Sequence, residues 1–234
     1  MNHSDSPMFY RDRGRSDGSS ERGYRLAPMY RSYWPRLLEE WSLLVDRYCR
    51  FTDGRDTPYQ HNERANTSIL AAAAWRVGMI ALEEFPASKK ASQNQVNGRA
   101  DLWLQAEEFG EGDVYEAKYV QCSLEKAVSA SCKKLDPACS DVVKHVDPWY
   151  LWRIGIVFCC VWHSVETTNS ISRFVDELRD TVQQGIVDAA AWTFPPIMSQ
   201  LLGGELSKEG WYPGVALLMR VQSRDGEDSS LYTA

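Results

Sequence analysis

The chain has 234 residues, 44% of them hydrophobic and 25% charged, enough for one sizeable core and unlike a collagen-like or wholly disordered chain. Its longest strongly apolar stretches, 154–162 and 68–74, fall well short of the roughly 20 residues that cross a bilayer, and no apolar signal segment opens the chain, which predicts a soluble, cytoplasmic protein without membrane partners. A formal net charge of −6 disfavours holding nucleic acid by bulk electrostatics, so any such role must rest on a local site.

Residues 1–24 are rich in Ser, Gly, Asp and Arg and predict a flexible arm, in which Asp12, Asp17 and Glu21 dilute Arg11, Arg13, Arg15 and Arg22. One α/β domain is expected over 25–222, because no repeat or linker divides it, followed by a polar tail over 223–234. Trp34, Leu37, Leu38, Trp41, Leu44 and Val45 recur at helical spacing, with Pro35 tolerable in a first turn. A second helix is expected over 63–84, packing through Ala65, Ile69, Ala72, Ala73 and Ile80. The polar segment 85–97 carries at most a weak strand. Residues 99–107 and 113–122 are β-leaning and flank the turn-forming FGEG, which predicts an antiparallel hairpin. A helical stretch follows from Leu124, interrupted at Pro137, to about Val146. Arg153 to His163 is apolar on both faces and predicts a central strand covered on both sides. Ser170 to Ala190 reads as a helix and Gly214 to Gln222 as a late strand. The six cysteines lack CxxC spacing, and adjacent Cys159 and Cys160 read as small buried hydrophobes.

The hairpin carries the chemistry. Side chains two apart on a strand share a face, so Glu116 and Lys118 point the same way, and Asp101 has matching parity on the first strand, with Leu102, Leu104 and Ala106 on the other side. A hairpin closing symmetrically about Gly110 and Glu111 sets Asp101 opposite Val120, about 13 Å along the strand from Glu116. A shared cation needs closer approach, so we expect a shifted register, from an asymmetric turn near Glu108, a bulge, or a twist at Gly98 and Arg99. Carboxylates more than about 8 Å apart count against a common site. Two carboxylates present hard oxygens suited to Mg²⁺, with Mn²⁺ able to substitute, and Lys118 is placed to orient a water or to stabilise charge developing on a phosphate.

These residues, Asp101 in GRADLW and Glu116-Ala117-Lys118 in VYEAKYV, resemble the PD-(D/E)XK nuclease superfamily, with Ala100 where a proline often stands. The resemblance implies a restriction-endonuclease-like αβββαβ core over roughly 63–163, a mixed central sheet flanked by helices, with extra N- and C-terminal helices. It implies metal ligands at Asp101, Glu116 and the Ala117 carbonyl, a catalytic Lys118, and a carboxylate on the preceding helix. Glu63 is the preferred candidate for that carboxylate, as a further metal ligand and catalytic residue, with Glu83 and Glu84 as rivals. The implied activity is an Mg²⁺-dependent endonuclease or exonuclease, acting on DNA in preference to RNA, in restriction, repair or defence against foreign DNA such as phage. Two alternatives remain: a catalytically silent nuclease-like subunit that binds a protein partner or a second copy of itself, and a different metal-dependent phosphohydrolase.

Other residues carry weaker readings. His61 reads as a surface loop residue, His163 as a strand-end residue, and Gln121 lies on the opposite face from Lys118. Lys89, Lys90 and Arg99 are candidates for phosphate contact. Trp149, Tyr150 and Trp152 read as packing against the sheet rather than stacking on bases. Glu107, Glu108, Glu111 and Asp113 read as an acidic hairpin tip turned away from nucleic acid.

Overall fold

The apolar run expected at the centre of the sheet is a strand, Tyr150–His163, and the fold is built outward from it. The computed structural model describes residues 11–12, 22–28, 30–91, 94–107, 112–145, 150–163, 168–200 and 211–222. In chain order the elements are β1 (Arg11–Asp12), β2 (Arg22–Leu26), α1 (Trp34–Phe51), a 3₁₀ turn (Pro58–Gln60), α2 (Glu63–Arg76), β3 (Ile80–Ala91), β4 (Asn94–Gln105), β5 (Gly112–Ser123), α3 (Leu124–Val142), β6 (Tyr150–His163), α4 (Thr168–Gln183), β7 (Ala189–Thr193), α5 (Pro196–Gln200) and β8 (Trp211–Gln222). The strands form one sheet in the order β1-β2-β7-β8-β6-β5-β4-β3, in which β5 and β6 run parallel and the other neighbours antiparallel. This is an α/β protein with a mixed sheet flanked by helices.

The two faces of β6 explain the layering. Ile154, Ile156, Phe158 and Cys160 pack with α1 and α2, while Val157, Cys159 and Val161 pack with α3 and α4. The α1 stripe is buried much as its spacing predicts, with Trp34, Leu37, Leu38, Trp41 and Val45 at 1% exposure or less and Leu44 partly buried. Each such large side chain contributes roughly 1.5–3 kcal/mol on burial. All six cysteines are free thiols, and Cys159 and Cys160 are fully buried.

Several expected boundaries move. The helix expected over 63–84 ends at Arg76, because Gly78 adopts a positive φ of 83° and turns the chain into β3. Ile80 is consequently an exposed strand residue, and the buried face of α2 comprises Asn66, Thr67, Leu70, Ala71, Ala73 and Ala74. In its described residues, the polar segment expected to carry at most a weak strand belongs to two long strands, β3 and β4. They pair from Ile80↔Gln105 to Ala91↔Asn94, and since β3 is a sheet edge its backbone pairs there without needing apolar alternation. Pro137 lies inside α3 without interrupting it, since Leu135, Ala138, Cys139 and Val142 hold the helix on the sheet, and the helix stops at Val142. The helix expected over 170–190 is α4 followed by β7, whose small residues Ala189, Ala190 and Ala191 are fully buried between β2 and β8. Arg22, Gly23 and Tyr24, placed in the expected arm, belong to β2.

Residues 1–10 and 13–21 of the arm, Glu108, Glu111, Trp149 and the tail 223–234 lie outside the described residues, as do the side chains of Arg11, Asp12, Lys90, Tyr150 and His163.

Candidate active site

The register of the β4–β5 hairpin is the shifted one. Leu102 pairs with Tyr115, Trp103 with Val114 and Leu104 with Asp113, which brings Asp101 level with Glu116 rather than with Val120. A local twist accompanies the shift. The β3–β4 ladder pairs Glu83 with Leu102 and Phe85 with Ala100 but skips the position between them, where Glu84 sits at φ 50°. That left-handed conformation is costly for a residue with a Cβ. Its effect is visible on β4, where Leu102 packs beside Tyr115 on one face and Ala100 beside Val114 and Val142 on the other. Asp101 lies at this twist, and its Oδ2 accepts the Ala117 backbone N–H at 2.7 Å.

Around that point the chain assembles a cluster of charged groups. Glu116, 4% exposed, accepts at one oxygen, Oε1, from Lys89 Nζ at 2.7 Å and from His145 Nε2 at 2.6 Å. The Asp101 and Glu116 carboxyl groups lie within hydrogen-bonding reach of each other. Lys118 Nζ donates to the Ala117 carbonyl at 3.0 Å and pairs with Asp141 on α3 at 3.2 Å. Glu63 opens α2 behind the N-cap Asn62, whose side chain accepts from Ala65 N–H, and its carboxylate feels the charges of Lys118, Glu116 and Asp141.

Burial and the neighbouring Glu116 charge push the Asp101 carboxyl up to about 7. Burial acts on Glu116 too, but hydrogen bonds from His145 and Lys89 outweigh it and hold that group below its usual value. Burial, opposed by Lys118, raises Glu63. Burial alone would lower Lys118, yet its pairing with Asp141 raises it, so the ammonium stays charged at neutral pH. Two carboxyl groups this close give up their last proton reluctantly, and a cation relieves the repulsion of the doubly ionised pair. Asp101, Glu116 and the Ala117 carbonyl are hard oxygens of the kind Mg²⁺ takes. Among the described residues no group of three or more His, Cys, Asp and Glu is arranged to hold a metal, so a cation here would rest on these two carboxylates, the carbonyl and water.

The rival helix carboxylates are on a strand instead, because α2 ends early. Glu83 accepts from Ser68 at 2.6 Å, and Glu84 pairs with Arg64 and Arg99. Asp113 does not belong to an acidic tip. It is 1% exposed and accepts from Arg31 Nε at 2.8 Å, the Tyr33 hydroxyl and the Trp152 N–H. Trp152 packs edge-on against Trp34 and lies beneath the Arg31 guanidinium, while Gln121 is exposed and donates to the Tyr212 hydroxyl. His61 is a half-exposed loop residue paired with Asp56. The sequence reading missed His145 and Asp141 altogether and had Lys89 as a phosphate contact. Parity arguments reach only neighbours along a strand, and these three arrive from β3 and from the C-terminal end of α3.

Comparison with protein-family models, with curated proteins and with solved structures finds no match.

Proposed function

We propose that the chain is a metal-dependent nuclease of the PD-(D/E)XK kind, hydrolysing phosphodiester bonds, with DNA the favoured substrate over RNA. The observation that carries this reading is the level placement of Asp101 and Glu116 on adjoining strands, with Lys118 on the same face as Glu116. The element order α2, β3, β4, β5, α3, β6 is also that of a restriction-endonuclease-like core. Asp101, Glu116 and the Ala117 carbonyl would hold the cation. Bound Mg²⁺ would lower the pKa of a water and offset charge on the phosphate. Lys118, kept charged by Asp141, donates to the phosphate oxygens as negative charge builds there and does not act as a base. Glu63, at the start of α2 and near enough to feel the charges of Lys118 and Glu116, would add a further carboxylate to the site.

Linear, circular and single-stranded DNA, and RNA, incubated with Mg²⁺, Mn²⁺ or EDTA, test this reading. Cleavage is expected with either metal and none with EDTA, and Asp101→Ala and Lys118→Ala should each lower the rate at least about 100-fold. Equal behaviour of wild type and both variants on every substrate overturns it. One observation favours a second reading, a nuclease-like subunit that binds without cutting: the Lys89 ammonium already neutralises Glu116 from within the chain. A stable complex with another protein and no cleavage of any substrate selects that reading.

A further inference from the structure

The turn after α3 is tied down from several sides. The His145 N–H bonds to the Val142 carbonyl at 3.2 Å, its carbonyl accepts Arg153 Nε from β6 at 2.7 Å, and its backbone bridges to Lys89 on β3. The side chain held by this frame is fully buried, and its Nε2 meets Glu116 Oε1 at 2.6 Å. Lys89 Nζ reaches the same oxygen at 2.7 Å. Two donors on one oxygen restrain the carboxylate and leave Oε2 outside these two bonds, while Asp101 is the carboxyl group that interacts directly with Glu116.

We propose that His145 is a positioning residue of the cation site, acting through Glu116 Oε1 so that Oε2 is presented, together with Asp101, to a hard divalent ion. This rests on the metal-dependent reading above. A ligating carboxylate whose second oxygen is hydrogen-bonded is held in one rotamer, and removing such an outer partner typically weakens metal binding 10- to 100-fold. Lys89 supplies the second donor from β3, so a carboxylate on β5 is oriented by two segments distant in sequence.

The test is calorimetric titration of the full chain with Mn²⁺ alone, without nucleic acid, so that no catalytic step enters. Thermal melts by circular dichroism run alongside. His145→Leu removes the donor. His145→Asn keeps a polar group too short to reach Glu116, and stands in if the Leu variant fails to fold. His145→Gln restores an N–H near the position of Nε2. The expected result is a loss of about 10- to 100-fold in Mn²⁺ affinity for the Leu and Asn variants and recovery to within about threefold for Gln. A folded Leu or Asn variant that binds Mn²⁺ as tightly as wild type overturns the positioning role and leaves the cation site standing. A wild type that does not bind Mn²⁺ overturns the cation reading, and this inference with it.

Discussion

Asp101 couples the candidate site to the stability of the chain. Its ordinary value of 3.8 rises to about 7 in the folded protein, so between those values the folded state binds more protons than the unfolded one. Stability from this group is therefore fully present below about 3.8 and is lost as the pH rises through about 7. Asp101→Asn keeps the shape and removes the charge. Allowing for solvent screening of a partly exposed group, the Asn variant should exceed wild type by about 1–2 kcal/mol at pH 8 in metal-free urea unfolding, and match it near pH 4. Adding Mg²⁺ at pH 8 should stabilise wild type and leave the variant unchanged; a variant weaker than wild type at both pH values refutes the account. A second buried pair makes an independent prediction. Arg31 and Asp113 are 6% and 1% exposed, and Arg31→Met strands a buried carboxylate, which should cost about 3–5 kcal/mol in urea unfolding. Asp113→Asn in the same chain should return part of that loss. At this scale the sequence was legible where strand parity suffices: Asp101, Glu116 and Lys118 follow from counting by twos. His145, Lys89 and Asp141 do not, because nothing local to a histidine after a helix or a lysine in a polar strand says which carboxylate it will meet.

At the scale of elements, α3 rests on β6 at a glycine. Gly155 is level with Glu116 on the neighbouring strand, and a Cβ there would come within 2.8 Å of the Cys139 backbone nitrogen and 2.7 Å of its sulfur. The helix backbone cannot yield as a side chain can, so Gly155→Ala should push α3 away from the sheet. That overpacking is expected to cost about 1–3 kcal/mol in chemical denaturation. Because α3 carries Asp141 and leads into His145, the proposed cleavage should weaken as well; an Ala variant as stable as wild type would show that α3 does not rest so closely on β6. Elements with strong apolar patterning, α1, α3, β5 and β6, were readable in the sequence. α2, β4, α4 and β8 were also expected, with bounds that moved, and what stayed hidden did so for physical reasons. β3 is an edge strand held by backbone pairing, so its polar sequence lacks alternation. β7 is alanine-rich and looks like the end of a helix until the sheet around it is known. The end of α2 depends on the left-handed backbone of Gly78, which a glycine permits but does not announce.

For the whole molecule, the question is how a chain of net charge −6 would hold a polyanion at all. Bulk attraction is absent, and the candidate site adds its own carboxylates. Its cations are already engaged, Lys89 with Glu116 and Lys118 with Asp141. Under the proposed function, a divalent ion between Asp101 and Glu116 is what reverses the local field where a phosphate must sit. Nucleic-acid binding should then depend on that ion more than on the surface. Lys118→Met removes the proposed catalytic ammonium and keeps the proposed oxygen ligands, which permits measurement without cleavage. By fluorescence anisotropy at 150 mM salt, roughly physiological ionic strength, this variant should bind a labelled duplex at least about tenfold more tightly with Ca²⁺ than with EDTA. Adding Asp101→Asn should abolish the difference. The residual affinity in EDTA should be weak and fall only shallowly with salt, because few phosphates are neutralised by fixed side chains. Equal affinity in Ca²⁺ and EDTA, or a steep salt dependence without metal, would move the binding energy onto a basic surface and away from the carboxylate pair.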